Sequence, residues 1–170
     1  ATFAVASLTW LAWRRTVSEE FVKAALRTSE RRFRAIFNNA LQFTALIEPD
    51  GTILEANQAA VDLLGRPHDA VIDGVFWDMP VWNVGRDGTA TMRQRVRLAA
   101  AGETIRGQVE IRGKENGGAW IDFSIRPITD EAGRIVQLLA EGRDVTDQKR
   151  AEAVALQAQK MEAVGHLTGG

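Results

Sequence analysis

Short runs that alternate apolar and polar residues occupy the middle of the chain. Phe43, Ala45 and Ile47 stand at every second position, and Glu48–Gly51 (EPDG) then supplies a proline and a glycine before Thr52–Ala56. A period of two is the repeat of a half-buried strand, and Pro-Asp-Gly favours a tight turn. The pattern therefore predicts two antiparallel strands joined by a turn.

A short helix is predicted directly after the second strand. Asn57 is a favoured N-cap residue before Gln58–Leu64, and Gly65 followed by Pro67 is typical of a helix end. Residues 67–88 then contain two prolines and an aromatic cluster, Phe76, Trp77 and Trp82. This composition predicts short helical turns and loops with no long element.

A longer helix and three further strands complete the pattern. Met92, Val96 and Ala99 recur at helical spacing up to Gly102. Period-two runs then resume, separated by turns at Asn116–Gly118 and Asp130–Gly133: Ile105–Ile111, Ile121–Ile125 and Ile135–Ala140. The predicted fold class is α+β, a five-stranded antiparallel sheet with helices on one face.

A hollow between the sheet and its helices is the natural place for a ligand. The residues expected around it are large and apolar: Leu63, Trp77, Trp82, Met92, Val96, Phe123 and Leu139. The same residue types are common in a plain hydrophobic core. The sequence therefore leaves a pocket and a simple core as alternatives.

Two segments without proline flank this domain, and both carry a short heptad pattern. The first has apolar residues at spacings of four and three, with Ser29 in the gap: Val22, Leu26, Phe33 and Ile36. The second keeps the same spacing with Gln157 in the gap: Val154, Met161 and Val164. We expect dimer-forming stalk helices over residues 16–36 and 147–170.

The first residues resemble the cytoplasmic end of a membrane helix. Residues 1–13 carry no charge, and Arg14 and Arg15 follow directly. A bilayer core needs about 20 apolar residues, so this interpretation requires residues upstream, and a buried or amphipathic helix start is the alternative. The chain lacks an initial methionine and ends inside a predicted helix. We expect a piece of a longer inner-membrane protein, with residues 1–15 ending a membrane or membrane-proximal helix and the domain in the cytoplasm.

Composition excludes several kinds of chemistry. The net charge of −1 gives no general attraction to nucleic acid, and the absence of cysteine excludes disulfides and thiolate metal sites. The two histidines, His68 and His166, are too distant in sequence to form a local metal motif. A small α+β enzyme with an apolar pocket would need a convergent acid and base pair, and the candidate carboxylates fall on separate elements: Glu48, Asp62, Asp122 and Asp144. We expect no catalytic residues in this chain.

The run Glu141–Thr146 (EGRDVT) closes the last predicted strand and leads into a helix. With the order of elements, it resembles the PAS domain family, whose last strand ends in an Asp-(Ile/Val)-Thr motif before a signalling helix. The resemblance covers about residues 34–146 and implies a PAS domain over 37–146. It also implies that Asp144 and Thr146 link the sheet to the helix and transmit the signal. Helix capping by Thr146 or Asp147 would explain the same residue types.

The last residues, Gln159–Gly170, are similar to the start of the dimerisation and phosphoacceptor helix of histidine kinases. In that family the phosphorylated histidine is followed by an acidic residue, which His166 lacks, so we expect His166 to be a seam or surface residue. The resemblance implies a homodimeric sensory module of a hybrid-type two-component sensor histidine kinase, which takes phosphate from ATP and passes it to a response regulator. The alternative is a PAS module of a non-kinase signalling protein.

Members of the PAS family bind haem, flavin or small metabolites, or act without a ligand. Cysteine-linked flavin is excluded here, and haem is disfavoured because residues 87–102 contain no histidine and His68 is a poor substitute. Flavin stacked without a covalent bond on Trp77 or Trp82 stays open. The sequence requires no cofactor, and a small-molecule ligand is a possible partner. Three arginines of the long helix are expected on a solvated face: Arg93, Arg95 and Arg97.

Overall fold

The computed structural model describes residues 2–82, 88–112 and 118–168, and it describes side chains from residue 20 to residue 162 of these ranges. The chain divides into two units, Ala1–Asn39 and Ala40–Gly170. The first is one helix, α1, over Thr2–Asn39. It contains the predicted helical segment 16–36, which carries no proline or glycine to interrupt it.

The second unit is built on a five-stranded antiparallel sheet with the strand order β2-β1-β5-β4-β3. Its strands are β1 Phe43–Ile47, β2 Ile53–Ala56, β3 Ile105–Arg112, β4 Gly118–Thr129 and β5 Ile135–Asp144. The predicted fold class is confirmed. The first strand, β1, pairs with the last strand, β5, which is the middle strand of the sheet. This pairing brings the two ends of the domain together.

Helices are inserted after the second strand, as predicted. They are α2 Gln58–Leu64, α3 His68–Val71, two 3₁₀ turns at Phe76–Asp78 and Pro80–Trp82, and α4 Gly88–Ala100. A separate helix, α5 Thr146–Thr168, follows the last strand. Most of the predicted turn at Asn116–Gly118 lies outside the described residues. Strand β4 extends beyond both of its predicted ends and β5 beyond its C-terminal end, because the apolar pattern marks only part of each strand.

The β1–β2 turn has the predicted chemistry. Gly51 donates its N–H to the carbonyl of Glu48 at 2.8 Å, and its φ of 95° lies in the left-handed region that favours glycine. A Cβ at this position would come within 2.1 Å of Cζ3 of Trp77. Glycine is therefore required here by backbone conformation and by the close approach of an indole ring.

The core lies on one face of the sheet. Alternate strand residues point into it and are almost fully buried: Ile47, Ile53, Ile121, Ile125 and Leu138. Helix α4 covers them with its one apolar side, Met92, Val96 and Ala99, which are all buried. Burial of each large aliphatic side chain stabilises the fold by about 1.5–3 kcal/mol. The helices therefore hold to the sheet by the hydrophobic face that the sequence pattern predicts.

Candidate functional site

A small cavity lies between the sheet and helices α2 and α4, and its volume is about 40 Å³. Its lining is almost wholly apolar and includes Phe43, Ala60, Leu63, Leu64, Phe76, Trp82, Met92, Ile121, Phe123, Ile125 and Ala140. A typical pocket for a drug-sized ligand measures about 300–1,000 Å³. The cavity in this form has room for only a few water-sized groups.

Four of the seven predicted pocket residues line this cavity: Leu63, Trp82, Met92 and Phe123. The other three lie elsewhere. Val96 is fully buried in the core one turn beyond Met92. Leu139 is on the opposite face of the sheet from its buried neighbours Leu138 and Ala140, because strand side chains alternate.

Trp77 is the third predicted residue outside the cavity. Its indole ring covers Gly51 on the β1–β2 turn, and the guanidinium of Arg93 lies 5.6 Å from its ring centroid. Trp77 thus connects the turn to helix α4 by a cation–π contact. Flavin stacking on Trp77 would need this arrangement to open.

The polar group of the cavity tryptophan is already satisfied. Trp82 Nε1 donates to the carbonyl of Phe76 at 2.6 Å, and the two rings lie 5.2 Å apart at 49°. Among the described side chains, no buried nitrogen or oxygen lacks a hydrogen-bond partner. The cavity therefore offers mainly shape and apolar contact, and Trp82 has no free donor left for a ligand.

Gly142 and Phe43 also line the cavity, and the sequence patterns did not indicate either of them. Gly142 of β5 pairs with Phe43 of β1 and with Phe123 of β4. A Cβ on Gly142 would come within 2.9 Å of Cγ2 of Ile121 and 3.6 Å of Cδ2 of Phe43. Phe43 could have been found, because it shares the period-two face of Ala45 and Ile47.

The junction between the sheet and helix α5 contains both predicted transmission residues. Asp144 Oδ1 accepts the N–H of Thr146 at 2.8 Å, while Thr146 Oγ1 accepts the N–H of Trp120 on β4 at 2.9 Å. Val145 is buried and donates its N–H to the carbonyl of Trp120 at 2.8 Å. The hydroxyl of Thr146 is thus directed to the sheet, and Asp144 provides the side-chain acceptor at the helix start.

Trp120 has a second contact with helix α5 that the sequence patterns did not indicate. The ammonium of Lys149, one turn into the helix, lies 5.6 Å from the Trp120 ring centroid. A cation–π contact at an exposed site contributes about 0.5–1 kcal/mol. Trp120 therefore connects β4 to α5 through its backbone and through its ring.

Charged residues cover the outer face of the sheet. Arg126 pairs with Glu141 at 2.7 Å and Arg143 pairs with Asp122 at 3.0 Å, each across β4 and β5. Exposed pairs of this kind contribute at most about 1 kcal/mol each. Each carboxylate is thus paired with an arginine across the two strands, so the two carboxylates do not form an acid and base pair with each other.

Of the three arginines of helix α4, Arg93 and Arg97 are exposed as expected, and Arg95 departs from the expected solvated face. Arg95 is half-buried, and its guanidinium lies 4.8 Å from the ring centroid of Phe123. This burial lowers the pKa of Arg95 from its ordinary value. Only Arg97 is exposed without an aromatic contact among the described residues.

Metal-binding side chains do not cluster in the described parts of the chain, where no group of three or more His, Cys, Asp or Glu residues could hold an ion. His68 lies on the surface in α3, with Nδ1 3.7 Å from Asp69 Oδ1. The side chain of His166 lies outside the described residues.

The stalk segments expose apolar side chains, each within its own unit. Helix α1 exposes the seam residues Val22, Leu26, Phe33 and Ile36, and helix α5 exposes the seam residues Val154 and Met161. Phe21 and Leu156 are exposed outside the predicted seams, and the side chain of Val164 lies outside the described residues. No helix in the described part of the chain is long and apolar enough to cross a membrane.

Comparison with known proteins agrees with this architecture. A family model described as PAS fold matches residues 37–150, which is more than half of the 170 residues. The chain belongs to the PAS fold family, and the resemblance drawn from the sequence is confirmed.

Sensor histidine kinases are among the relatives of the chain. It is 38% identical over 147 residues to the sensor histidine kinase TmoS of Ectopseudomonas mendocina. This match covers 85% of the chain and 15% of that protein. The chain is also 31% identical over 130 residues to the hybrid signal transduction histidine kinase D of Dictyostelium discoideum. That match covers 75% of the chain and 8% of that protein. The chain thus spans a small part of the relatives it matches.

The solved structures that resemble the chain share its fold at low identity. The PAS domain of an HTR-like protein from Haloarcula marismortui superposes with a TM-score of 0.59 and 18% identity, over 74% of this chain and 98% of that one. By the family model and the kinase relatives, residues 37–150 form a PAS domain homologous to part of sensor histidine kinases, with a role in signalling.

Proposed function

We propose that this chain is the sensory module of a two-component sensor histidine kinase of the hybrid type. In this proposal a change in the PAS core passes through helix α5 and controls histidine autophosphorylation from ATP and phosphotransfer to a response regulator. The observation that carries it is the hydrogen bond from Trp120 N–H to Thr146 Oγ1. The homology to sensor kinases supports the parent activity.

The path from core to helix is short. Strand β4 contributes Ile121 and Phe123 to the cavity lining, and Trp120 is the residue directly before Ile121. A displacement of β4 by a change in the cavity would therefore move the atoms that hold Thr146. Because helix α5 starts at Thr146, the same displacement would change its direction or register, which is a two-state device known in signalling proteins.

A ligand of this core would be small and apolar. The cavity offers about 40 Å³ and an almost wholly apolar lining, whereas haem or flavin needs a space several times larger. A PAS core that relays motion without a ligand is consistent with the same cavity. No cofactor enters the proposed mechanism.

The flanking segments act as stalks in the proposed dimer. Exposed seam residues on α1 and α5 would be buried against a second copy of the chain. Residues 1–15 would form the end of a membrane or membrane-proximal helix, and the domain would then lie in the cytoplasm beside the inner membrane. This attachment rests on the uncharged run before Arg14 and Arg15. Residues 147–170 would lead into the phosphoacceptor helix.

The test is a pair of substitutions at Thr146 in the full-length protein that contains this chain. Thr146→Val keeps the shape of the side chain and removes the acceptor for Trp120 N–H, so we expect histidine autophosphorylation from ATP to change about fivefold or more. Thr146→Ser keeps the hydroxyl and should leave the rate within about twofold of the original. Equal rates in all three proteins would show that this bond does not transmit the signal.

A further inference from the structure

Among the described side chains, Asn57 is the only polar one that is buried, with 0% of its surface exposed. Its Oδ1 accepts the N–H of Ala60 at 2.9 Å and the N–H of Thr44 at 3.0 Å. Its Nδ2 donates to the carbonyl of Gln42 at 2.8 Å. A buried amide is tolerated because these bonds replace its water contacts.

These partners belong to two different parts of the domain. Ala60 of α2 and Thr44 of β1 line the cavity. Gln42 lies in the short segment 40–42, which joins the end of helix α1 at Asn39 to the start of β1 at Phe43. One side chain therefore bonds both to the cavity wall and to the connection that leads to the N-terminal stalk.

The chemistry of the residue exceeds what helix capping needs. An N-cap needs one acceptor oxygen, and Asp, Ser or Thr supplies it as well as Asn does. Asp has no donor when ionised, and Ser or Thr has a single oxygen for all three partners. Only the carboxamide accepts from α2 and β1 and at the same time donates to Gln42 from a second atom.

We propose that Asn57 is a positioning residue that couples the cavity to residues 40–42, and hence to the segment that leads into helix α1. When the cavity wall shifts, Oδ1 follows the N–H of Ala60, and Nδ2 carries the carbonyl of Gln42 with it. The inference rests on the proposed sensory function and adds a second, N-terminal route beside the one through Thr146.

The test is a double-mutant cycle read by NMR on the full 170-residue chain. Leu63→Ala enlarges the cavity from α2 without any ligand, and the amide nitrogen shift of Phe43 reports the hydrogen bond at the preceding Gln42 carbonyl. We expect Leu63→Ala to move this resonance in the original chain. In the Asn57→Ser background the same change should move it about threefold less.

Three controls separate coupling from stability. Asn57→Ser keeps an oxygen for the N-cap, so hydrogen exchange in α2 should stay within about twofold of the original. Asn57→Asp keeps Oδ1 but lacks the amide donor, so it should lose the coupling as Asn57→Ser does. Ile53→Val weakens the core on β2 without removing any of these bonds, and the coupling should persist in it. If Leu63→Ala unfolds the chain, Met92→Leu perturbs the cavity from α4.

Either of two results would overturn the proposal. One is an equal Phe43 shift with and without the Asn57 carboxamide, and the other is an unmoved Phe43 resonance while the resonances of cavity-lining residues move. The cycle uses no ligand and no kinase readout. Its failure is therefore distinguishable from failure of the proposed kinase function, which the Thr146 variants test.

Discussion

At the scale of single residues, Gly51 and Gly133 both lie in turns but have different surroundings. Gly51 and Gly133 both have positive φ, 95° and 78°. The space around Gly133 is open, whereas a Cβ on Gly51 would collide with the Trp77 ring. The sequence predicts both turns from residue type. It cannot predict the collision, because Trp77 lies 26 positions from Gly51 in the chain.

Gly51→Ala should therefore destabilise the fold more than Gly133→Ala. Positive φ alone costs about 1–2 kcal/mol for an alanine, and displacing the indole adds a further cost of about 1–3 kcal/mol. We expect a loss of about 2–5 kcal/mol for Gly51→Ala and about 1–2 kcal/mol for Gly133→Ala, measured by urea unfolding. Equal losses would show that Trp77 moves aside freely.

At the scale of elements, the ends of strands and helices are held by side chains that bond to the backbone. Asp130 stands in the turn between β4 and β5, where Oδ1 accepts the N–H groups of Ala132 and Arg134, each at 2.9 Å. At the start of α5, Asp144 Oδ1 accepts the N–H of Thr146 at 2.8 Å. The sequence identifies Asp130 and Asp144 by residue type as turn and cap formers. Their partners across the sheet, such as Trp120 for Thr146, follow only from strand register.

The turn at Asp130 makes a prediction about pH. Hydrogen bonds from the backbone of Arg134, then from its side chain and from Ala132, hold the pKa of Asp130 below its ordinary value of 3.8. The ionised form is thus favoured in the folded state, so its stabilisation is present above pH 3.8 and is lost as the pH falls through the lower folded pKa. Asp130→Asn keeps the acceptor oxygen and should flatten this acid-side slope of the free energy of unfolding.

The measurement is urea unfolding between pH 5 and pH 2 on both proteins, with about equal ionic strength throughout. Asp50 also has a pKa lowered by hydrogen bonds from Thr52, so a smaller slope should remain in the Asp130→Asn chain. An unchanged slope in that variant would show that Asp130 does not contribute to acid sensitivity.

At the scale of the whole molecule, the proposed function depends on whether the stalks pair two chains. Helix α1 exposes Leu26 at 67% of its surface, at a seam position of the heptad pattern. Ala24 lies two residues earlier on the other side of the helix and is exposed too. Buried apolar seams are the main driving force for pairing of such helices.

We expect the chain to be a dimer by native mass spectrometry. Leu26→Glu places a charge in the seam and should shift the population to monomer, while Ala24→Glu adds the same charge outside the seam and should leave the dimer unchanged. The same spectra, compared with those taken under denaturing conditions, would show the mass of any small molecule released from the core. A monomer in all three proteins would contradict the stalk model.

Sequence patterns by themselves determined the five strands and the helix that covers them, because burial on one face of a sheet imposes a period of two and burial on one side of a helix imposes a period near four. The family followed from the resemblance carried by the order of elements and the run Glu141–Thr146. The patterns also located Asp144 and Thr146 at the start of the last helix. Tertiary structure decided which residues meet at the cavity. It placed Leu139 on the outer face, brought Gly142 between Phe43 and Phe123, and joined Asn57 to Gln42, because strand register and cross-strand contacts are set by the packing of the whole sheet.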